Sequence, residues 1–269
     1  MSSNEIALPN FILVGAAKAG TTSLYHYLQQ HPDLFLPKEY KHTRFFVSEK
    51  LEDVLYYNRT SVFSFDHFKS LYQGANNYKA IGDFGNAYLL YYDHAINKIK
   101  KYLGDEIKIV MVLREPVERA FSAYQFACRN QHESESFEKA LENEYERIPK
   151  YHFPPDIYHY KEYGLYYAKV KAYLENFSNV KIILFEDLKE KPQETIKDLF
   201  NFLEVNPEIE LDTQTVYNEG GWVPANLTLF NSLFSGKKAA NAIKPYVEKI
   251  PSLFRLGQKI LLLIEWLRN

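Results

Sequence analysis

The sequence contains a single cysteine, Cys128, among its 269 residues. One thiol cannot form a disulfide within the chain, which excludes a small secreted fold held by disulfides and favours a reducing compartment, the cytoplasm. The eight histidines show no zinc-binding spacing, so we expect no metal site. The N-terminal residues MSSNEIALPN contain no apolar segment of the kind found in secretory signals. We therefore expect no secretory signal peptide.

The chain also lacks an excess of basic residues, since 32 Lys and Arg stand against 34 Asp and Glu. A nucleic-acid partner is therefore not expected, because binding many phosphates requires such an excess.

Long apolar runs are missing too. The run Ile260–Ile264 is far shorter than the roughly 20 residues of a membrane-spanning helix, and we expect a soluble protein. Peripheral membrane contact through Trp266, Leu267 and Arg268 stays open as a second interpretation.

Short apolar segments alternate along the chain with segments of helical periodicity. The predicted strands cover residues 11–14, 80–83, 107–113 and 180–185. The predicted helices cover residues 23–30, 93–103, 116–124, 137–147, 165–177 and 192–203. The strands are apolar throughout rather than alternating, which is typical of a parallel sheet buried on both faces. We therefore predict an α/β fold with a P-loop-like, doubly wound parallel sheet flanked by helices. One domain is expected over residues 1–269, with residues 205–269 forming a loop and a helical C-terminal extension.

A glycine-containing turn follows the first predicted strand and precedes a helix, a position where helix N–H groups bind anions. Gly15 and Gly20 have the spacing of the two glycines in a nucleoside-triphosphate P-loop, but Thr21 stands where that motif has lysine. The lysine of this turn is Lys18. Triphosphate chemistry is therefore disfavoured, while binding of a nucleotide phosphate by this turn is not.

A second cluster follows the strand at residues 107–113, at the sheet edge where α/β proteins bind ligands. It begins with Arg114 and continues into a helix that carries Ser122. These two residues are suited to hold a second phosphate of the same nucleotide. An ordinary surface arginine and an ordinary helical serine are the alternative interpretation.

Several blocks in this order resemble the sulfotransferases that use 3′-phosphoadenosine 5′-phosphosulfate (PAPS), in particular the bacterial members related to the heparan-sulfate sulfotransferases. The blocks are FILVGAAKAGTTSLYHYLQQHPDLFLPKE, IGDFGNAYL, IVMVLREPVERAFSAYQF, SFEKAL, GLYYAKVKAYLENF and VKIILFEDLKEKPQETIKDLFNFLEV. The resemblance implies a PAPS-dependent enzyme of the EC 2.8.2 type that transfers a sulfuryl group to an acceptor hydroxyl.

The resemblance also implies roles for individual residues. The turn that matches the family's 5′-phosphosulfate loop consists of Lys18, Ala19, Gly20, Thr21, Thr22 and Ser23. Arg114 and Ser122 match the residues that hold the 3′-phosphate. Gly221 and Trp222 lie in the loop that closes over the nucleotide in relatives. Two separated anion sites suit PAPS, which needs no Mg²⁺.

The resemblance implies a catalytic base, commonly Glu or His in this family, shortly before an aromatic pair, which here is Phe45 and Phe46. This chain departs from the pattern, because His42 stands where relatives usually have the acidic residue and Glu39 lies three positions further upstream. Either residue can be the base, with Glu39 preferred because the block before it matches in type. The resemblance further implies that Asp83 orients side chains around the pocket.

Three functional hypotheses follow. The first is a PAPS-dependent sulfotransferase with a carbohydrate acceptor, and the near-zero net charge favours a neutral glycan or a small alcohol. The second is a P-loop kinase that uses Mg-ATP. The third is a nucleotide-binding relative without catalytic activity that acts as a scaffold.

Overall fold

The computed structural model describes residues 6–52, 57, 60–147 and 158–213. These residues fall into two compact units: the first comprises those up to Arg114 and those from Val170 onward, and the second comprises those of Glu115–Lys169. The predicted helical extension lies almost entirely outside the described residues, so the single domain over residues 1–269 stays a prediction. No helix in the described part of the chain is long and apolar enough to span a membrane.

The first unit contains a sheet of five parallel strands in the order β2-β3-β1-β4-β5. The strands are β1 (Phe11–Gly15), β2 (Leu34–Phe35), β3 (Ala80–Phe84), β4 (Lys108–Leu113) and β5 (Val180–Leu184). In the central strand, Ile12 pairs with Asp83 of β3 on one side and with Ile109 of β4 on the other. Every residue of β1 and β3 is buried, as the unbroken apolar pattern requires. The predicted α/β fold with a parallel sheet is confirmed.

The helices connect the strands or follow them in the chain. Those described are α1 (Thr21–Leu28), α2 (Phe65–Ser70), α3 (Ala87–Leu90), α4 (Tyr92–Leu103), α5 (Pro116–Arg129), α6 (Phe137–Glu142), α7 (Glu144–Arg147), α8 (Tyr166–Asn176), α9 (Phe185–Glu190) and α10 (Pro192–Leu203). The helix predicted over residues 137–147 is instead two helices that meet at Asn143. Strand β2 and the short helices α2, α3 and α9 were not predicted, because elements of two to six residues give almost no periodic signal.

Aromatic side chains fill the first unit beside the sheet and fix the segment that follows β2. A 3₁₀ helix, Phe45–Lys50, inserts its first two rings into this core. Phe45 stacks on Phe68 with ring centroids 4.5 Å apart, and Phe46 meets Tyr88 edge to face at 5.4 Å. Such ring contacts add to the free energy of burial. The chain just before Phe45 is thereby held against the sheet.

The second unit is organised by buried charged side chains. Arg119 of α5 is fully buried, donates hydrogen bonds to the carbonyl oxygens of His159 and Tyr160, and lies over the ring of Tyr163. Glu144 accepts hydrogen bonds from the backbone N–H groups of Lys161 and Glu162 at 2.7 and 2.9 Å. These bonds satisfy N–H groups at the start of a short 3₁₀ helix, Glu162–Gly164, which have no partner within that helix.

Candidate active site

The turn between β1 and α1 lies at the carboxyl end of the central strand. Gly20 is the N-cap of α1 and has a φ of +81°, in the left-handed region that favours glycine. A Cβ atom there would lie 2.9 Å from Cδ2 of Phe185, so a side chain would also collide with α9. The turn brings the chain directly into the first turn of α1, whose N–H groups and dipole favour an anion.

Lys18 occupies the middle of this turn in a strained conformation. Its φ is 69°, which is uncommon for a residue other than glycine and costs about 1–3 kcal/mol. Its carbonyl oxygen accepts a hydrogen bond of 3.3 Å from Nη1 of Arg114, whose guanidinium lies 4.5 Å from the ring centroid of Phe185. Two predicted site residues, from the ends of β1 and β4, are therefore in direct contact.

A second lysine, Lys41, reaches the same turn from the segment after β2. Its Nζ donates a hydrogen bond of 2.5 Å to Oγ1 of Thr22 and lies 5.6 Å from the ring centroid of Tyr25. Burial and the positive charge of Lys18 lower the pKa of Lys41 to about 8. Lys41 was not among the sequence-predicted site residues, although its place next to His42 was the signal that could have found it.

His42 is connected to the start of α1 through Asn86, which follows β3. Thr21 Oγ1 donates a hydrogen bond of 3.1 Å to Asn86 Oδ1, and Asn86 Nδ2 lies 3.4 Å from His42 Nε2. Burial lowers the pKa of His42 well below its usual value, the positive charges of Lys41 and Arg44 act in the same direction, and the Phe84 backbone opposes them. The imidazole is therefore neutral at neutral pH and able to accept a proton. Asn86 was also missed, although it follows β3 as Arg114 follows β4.

The other predicted residues are placed differently. Glu39 lies in an exposed bend after β2, and it makes no hydrogen bond or ion pair with any residue that the structure describes. Ala19 and Ser23 are buried beside the turn. Ser122 is partly buried on α5 in the second unit. Gly221 and Trp222 lie outside the described residues.

A family model described as the sulfotransferase domain matches residues 8–218, well over half of the chain. The chain belongs to the sulfotransferase family. This membership confirms the family predicted from the order of the sequence blocks, and it supports a transferase of the EC 2.8.2 type.

Solved and curated sulfotransferases show how far the similarity extends. A sulfotransferase from Alicyclobacillus acidocaldarius is 34% identical with a TM-score of 0.71, and the match covers 84% of this chain and 92% of that one. Mouse sulfotransferase SULT7A1, solved in complex with PAP, has the same fold at 15% identity and a TM-score of 0.51, over 94% of this chain and 88% of that one. Mouse bifunctional heparan sulfate N-deacetylase/N-sulfotransferase 4 is 25% identical over 80% of this chain, and membrane-associated sulfotransferase kil1 of Dictyostelium discoideum is 31% identical over 46% of it. The matches span only 24% of the length of each of these two curated relatives.

A buried carboxylate in this sulfotransferase fold fixes the residue that follows His42. Asp83, at the end of β3, accepts hydrogen bonds from the hydroxyl groups of Thr43 at 2.9 Å, Tyr88 at 2.9 Å and Tyr72 at 3.1 Å. Its side chain is fully buried, and burial raises its pKa to about 6 although the three hydroxyl groups act in the opposite direction. Asp83 therefore ties the chain at Thr43 to the sheet, and with it the position of His42.

The ionisation of Asp83 is expected to weaken the fold as the pH rises. Because its pKa is about 6 in the folded chain and 3.8 in the reference state, the folded chain binds this proton more tightly than the unfolded chain. The stability that protonated Asp83 contributes is complete below pH 3.8 and is lost as the pH rises through 6, by about 3 kcal/mol in total. The test is urea denaturation of wild type and D83N at several pH values. The unfolding free energy of wild type minus that of D83N should fall by this amount as the pH rises from below 3.8 to above 6.

A difference that is flat, or that rises with pH, would contradict this account of Asp83. If D83N does not fold, a carbon-13 NMR titration of the Asp83 carboxyl group in the wild-type protein gives the same information. A pKa at or below the reference value of 3.8 would then be the contrary result.

Proposed function

We propose that this protein transfers a sulfuryl group from PAPS to an acceptor hydroxyl. The observation that carries the proposal is the position of Lys18 in the turn before α1, in contact with Arg114, with His42 connected to the start of α1 through Asn86. PAPS would supply the sulfuryl group: the bond between sulfur and the bridging phosphate oxygen breaks as a bond from the acceptor oxygen to sulfur forms, and a base takes the acceptor proton.

The turn fits the phosphosulfate end of this nucleotide in charge and shape. Helix N–H groups and Lys18 favour an anion, and the absent side chain of Gly20 leaves the backbone close to whatever binds there. Arg114 is proposed to hold the 3′-phosphate, and the role of Ser122, which lies in the second unit, stays a prediction from the sequence. A relative of the same fold gives support, since mouse SULT7A1 was solved in complex with PAP. Among the described residues no group of three histidine, cysteine, aspartate or glutamate side chains could hold a metal ion, and a donor site without metal stays a prediction.

Lys18 and His42 are assigned different roles in the transfer. The ammonium of Lys18 stabilises negative charge that develops on the bridging oxygen, which is the kind of electrostatic assistance that dominates many enzymes. His42 accepts the proton of the acceptor hydroxyl at Nε2. The 3.4 Å contact of this atom with Asn86 is long for a hydrogen bond, so an incoming hydroxyl can replace it. The exposed position of Glu39 is the reason for preferring His42 as the base.

A carbohydrate is the proposed acceptor class. Mouse bifunctional heparan sulfate N-deacetylase/N-sulfotransferase 4, one of the relatives, has heparan sulfate in its name. The formal net charge of −2 favours a neutral glycan or small alcohol over a long polyanion. A cytoplasmic location, predicted from the single cysteine, and membrane contact by the C-terminal residues both stay predictions.

Donor selectivity tests the proposed function against its alternatives. We expect 3′,5′-phosphoadenosine to stabilise the protein in a thermal unfolding assay, by about 2.7 kcal/mol at a ligand concentration of 100 times Kd. Mg-ATP should give no comparable shift, because Thr21 stands where a P-loop kinase has lysine. K18A should reduce the shift. The reverse preference would support the kinase, and nucleotide binding without transfer to any glycan or alcohol would support the scaffold.

Separate substitution of the two candidate bases tests the assignment of His42. H42A should lower kcat for sulfuryl transfer by about 10²–10⁴-fold, the usual contribution of general base catalysis, with nucleotide affinity preserved. E39Q, which changes an exposed carboxylate, should transfer at the wild-type rate. Loss of activity in E39Q with normal activity in H42A would reverse the assignment.

A further inference from the structure

We propose that Lys41 is a second cation of the donor site, which binds the phosphosulfate end of the nucleotide opposite Lys18. The inference rests on the proposed function and adds a residue to it. It is drawn from the contacts of Lys41 at the first turn of α1, a helix to which Lys41 itself does not belong.

Three contacts define where the ammonium of Lys41 lies. Its Nζ donates a hydrogen bond to Oγ1 of Thr22, the second residue of α1, at 2.5 Å. The same atom is near the ring of Tyr25, one turn further along the helix, at 5.6 Å from its centroid. Tyr25 in turn donates a hydrogen bond of 2.8 Å to the carbonyl oxygen of Pro37, which holds the segment leading to Lys41 against α1.

The surroundings of Lys41 are short of negative charge. The positive charge of Lys18 acts on Lys41, and the charges of Lys41 and Arg44 both act on His42. Within the described part of the chain Lys41 makes no ion pair with a carboxylate. Lys18 and Lys41 are two cations at the positive end of a helix, and they repel one another. A bound anion removes that repulsion and is therefore attracted strongly.

A measurable consequence is proton uptake on donor binding. Because burial and Lys18 lower the pKa of Lys41 to about 8, the free protein carries this charge only in part at that pH. A phosphosulfate or phosphate beside Lys41 favours the charged form and raises its pKa. Binding of the nucleotide near pH 8 should therefore draw roughly half a proton from solvent, and the uptake should fade at lower pH, where Lys41 is already charged.

The test is isothermal titration calorimetry with 3′,5′-phosphoadenosine at about pH 8, in two buffers that differ in ionisation enthalpy. Wild type is compared with K41M, with K41R, and with K38M as a matched control, since Lys38 is exposed and close in sequence. Wild type and K38M should take up the proton. K41M should bind at least about tenfold more weakly without uptake, and K41R should bind without uptake because arginine stays charged.

Transfer rates give a second measurement on the same proteins. K41M should lower kcat by on the order of 10²-fold, as loss of one charge-stabilising donor does, and K41R should recover part of that loss. Equal proton uptake, affinity and kcat in wild type and K41M would overturn the role of Lys41 and leave the proposed function intact. Failure of both wild type and K38M to bind the nucleotide would instead overturn the donor assignment, and this inference with it.

Discussion

Parallel pairing of β1 with β3 on one side and β4 on the other is the constraint on which the candidate site depends. Parallel strands end at the same edge of a sheet, so the segments that follow them must meet. The turn with Lys18 follows β1, Asn86 follows β3 and Arg114 follows β4. A slip of one residue in either pairing would turn buried side chains to the opposite face and separate these groups. The buried, apolar strands therefore determine the geometry of a polar site.

The candidate site brings together positive charges that are costly to maintain in the free protein. Lys18 is held in a strained backbone conformation. Burial of Lys41, together with the positive charge of Lys18, makes the protonated form of Lys41 harder to maintain. These features destabilise the free protein and persist only where the surrounding fold compensates for them. Asp83 does not neutralise them, because its carboxylate is engaged by three hydroxyl groups and orients Thr43. A negatively charged ligand is what would remove the repulsion.

Strands β1, β3, β4 and β5 could be predicted to within one residue because each is an unbroken apolar run between turn signals. The turn and Arg114 could be predicted as well, since they directly follow such strands. The position of the segment that contains Glu39 and His42 could not be predicted. It depends on hydrogen bonds between residues far apart in sequence, Tyr25 with Pro37 and Asp83 with Thr43. Similarity of the preceding block favoured Glu39, whereas His42 is the residue that Asn86 connects to the start of α1.

The central claim is that the first turn of α1, with Lys18 and Lys41, binds the phosphosulfate end of the donor. A crystal structure of the protein with 3′,5′-phosphoadenosine tests it most directly. The account predicts the 5′-phosphate within hydrogen-bonding distance of the Thr21 and Thr22 N–H groups and of both lysine ammonium groups, with His42 facing the same space. A nucleotide bound elsewhere, with this turn empty at saturating concentration, would contradict the account.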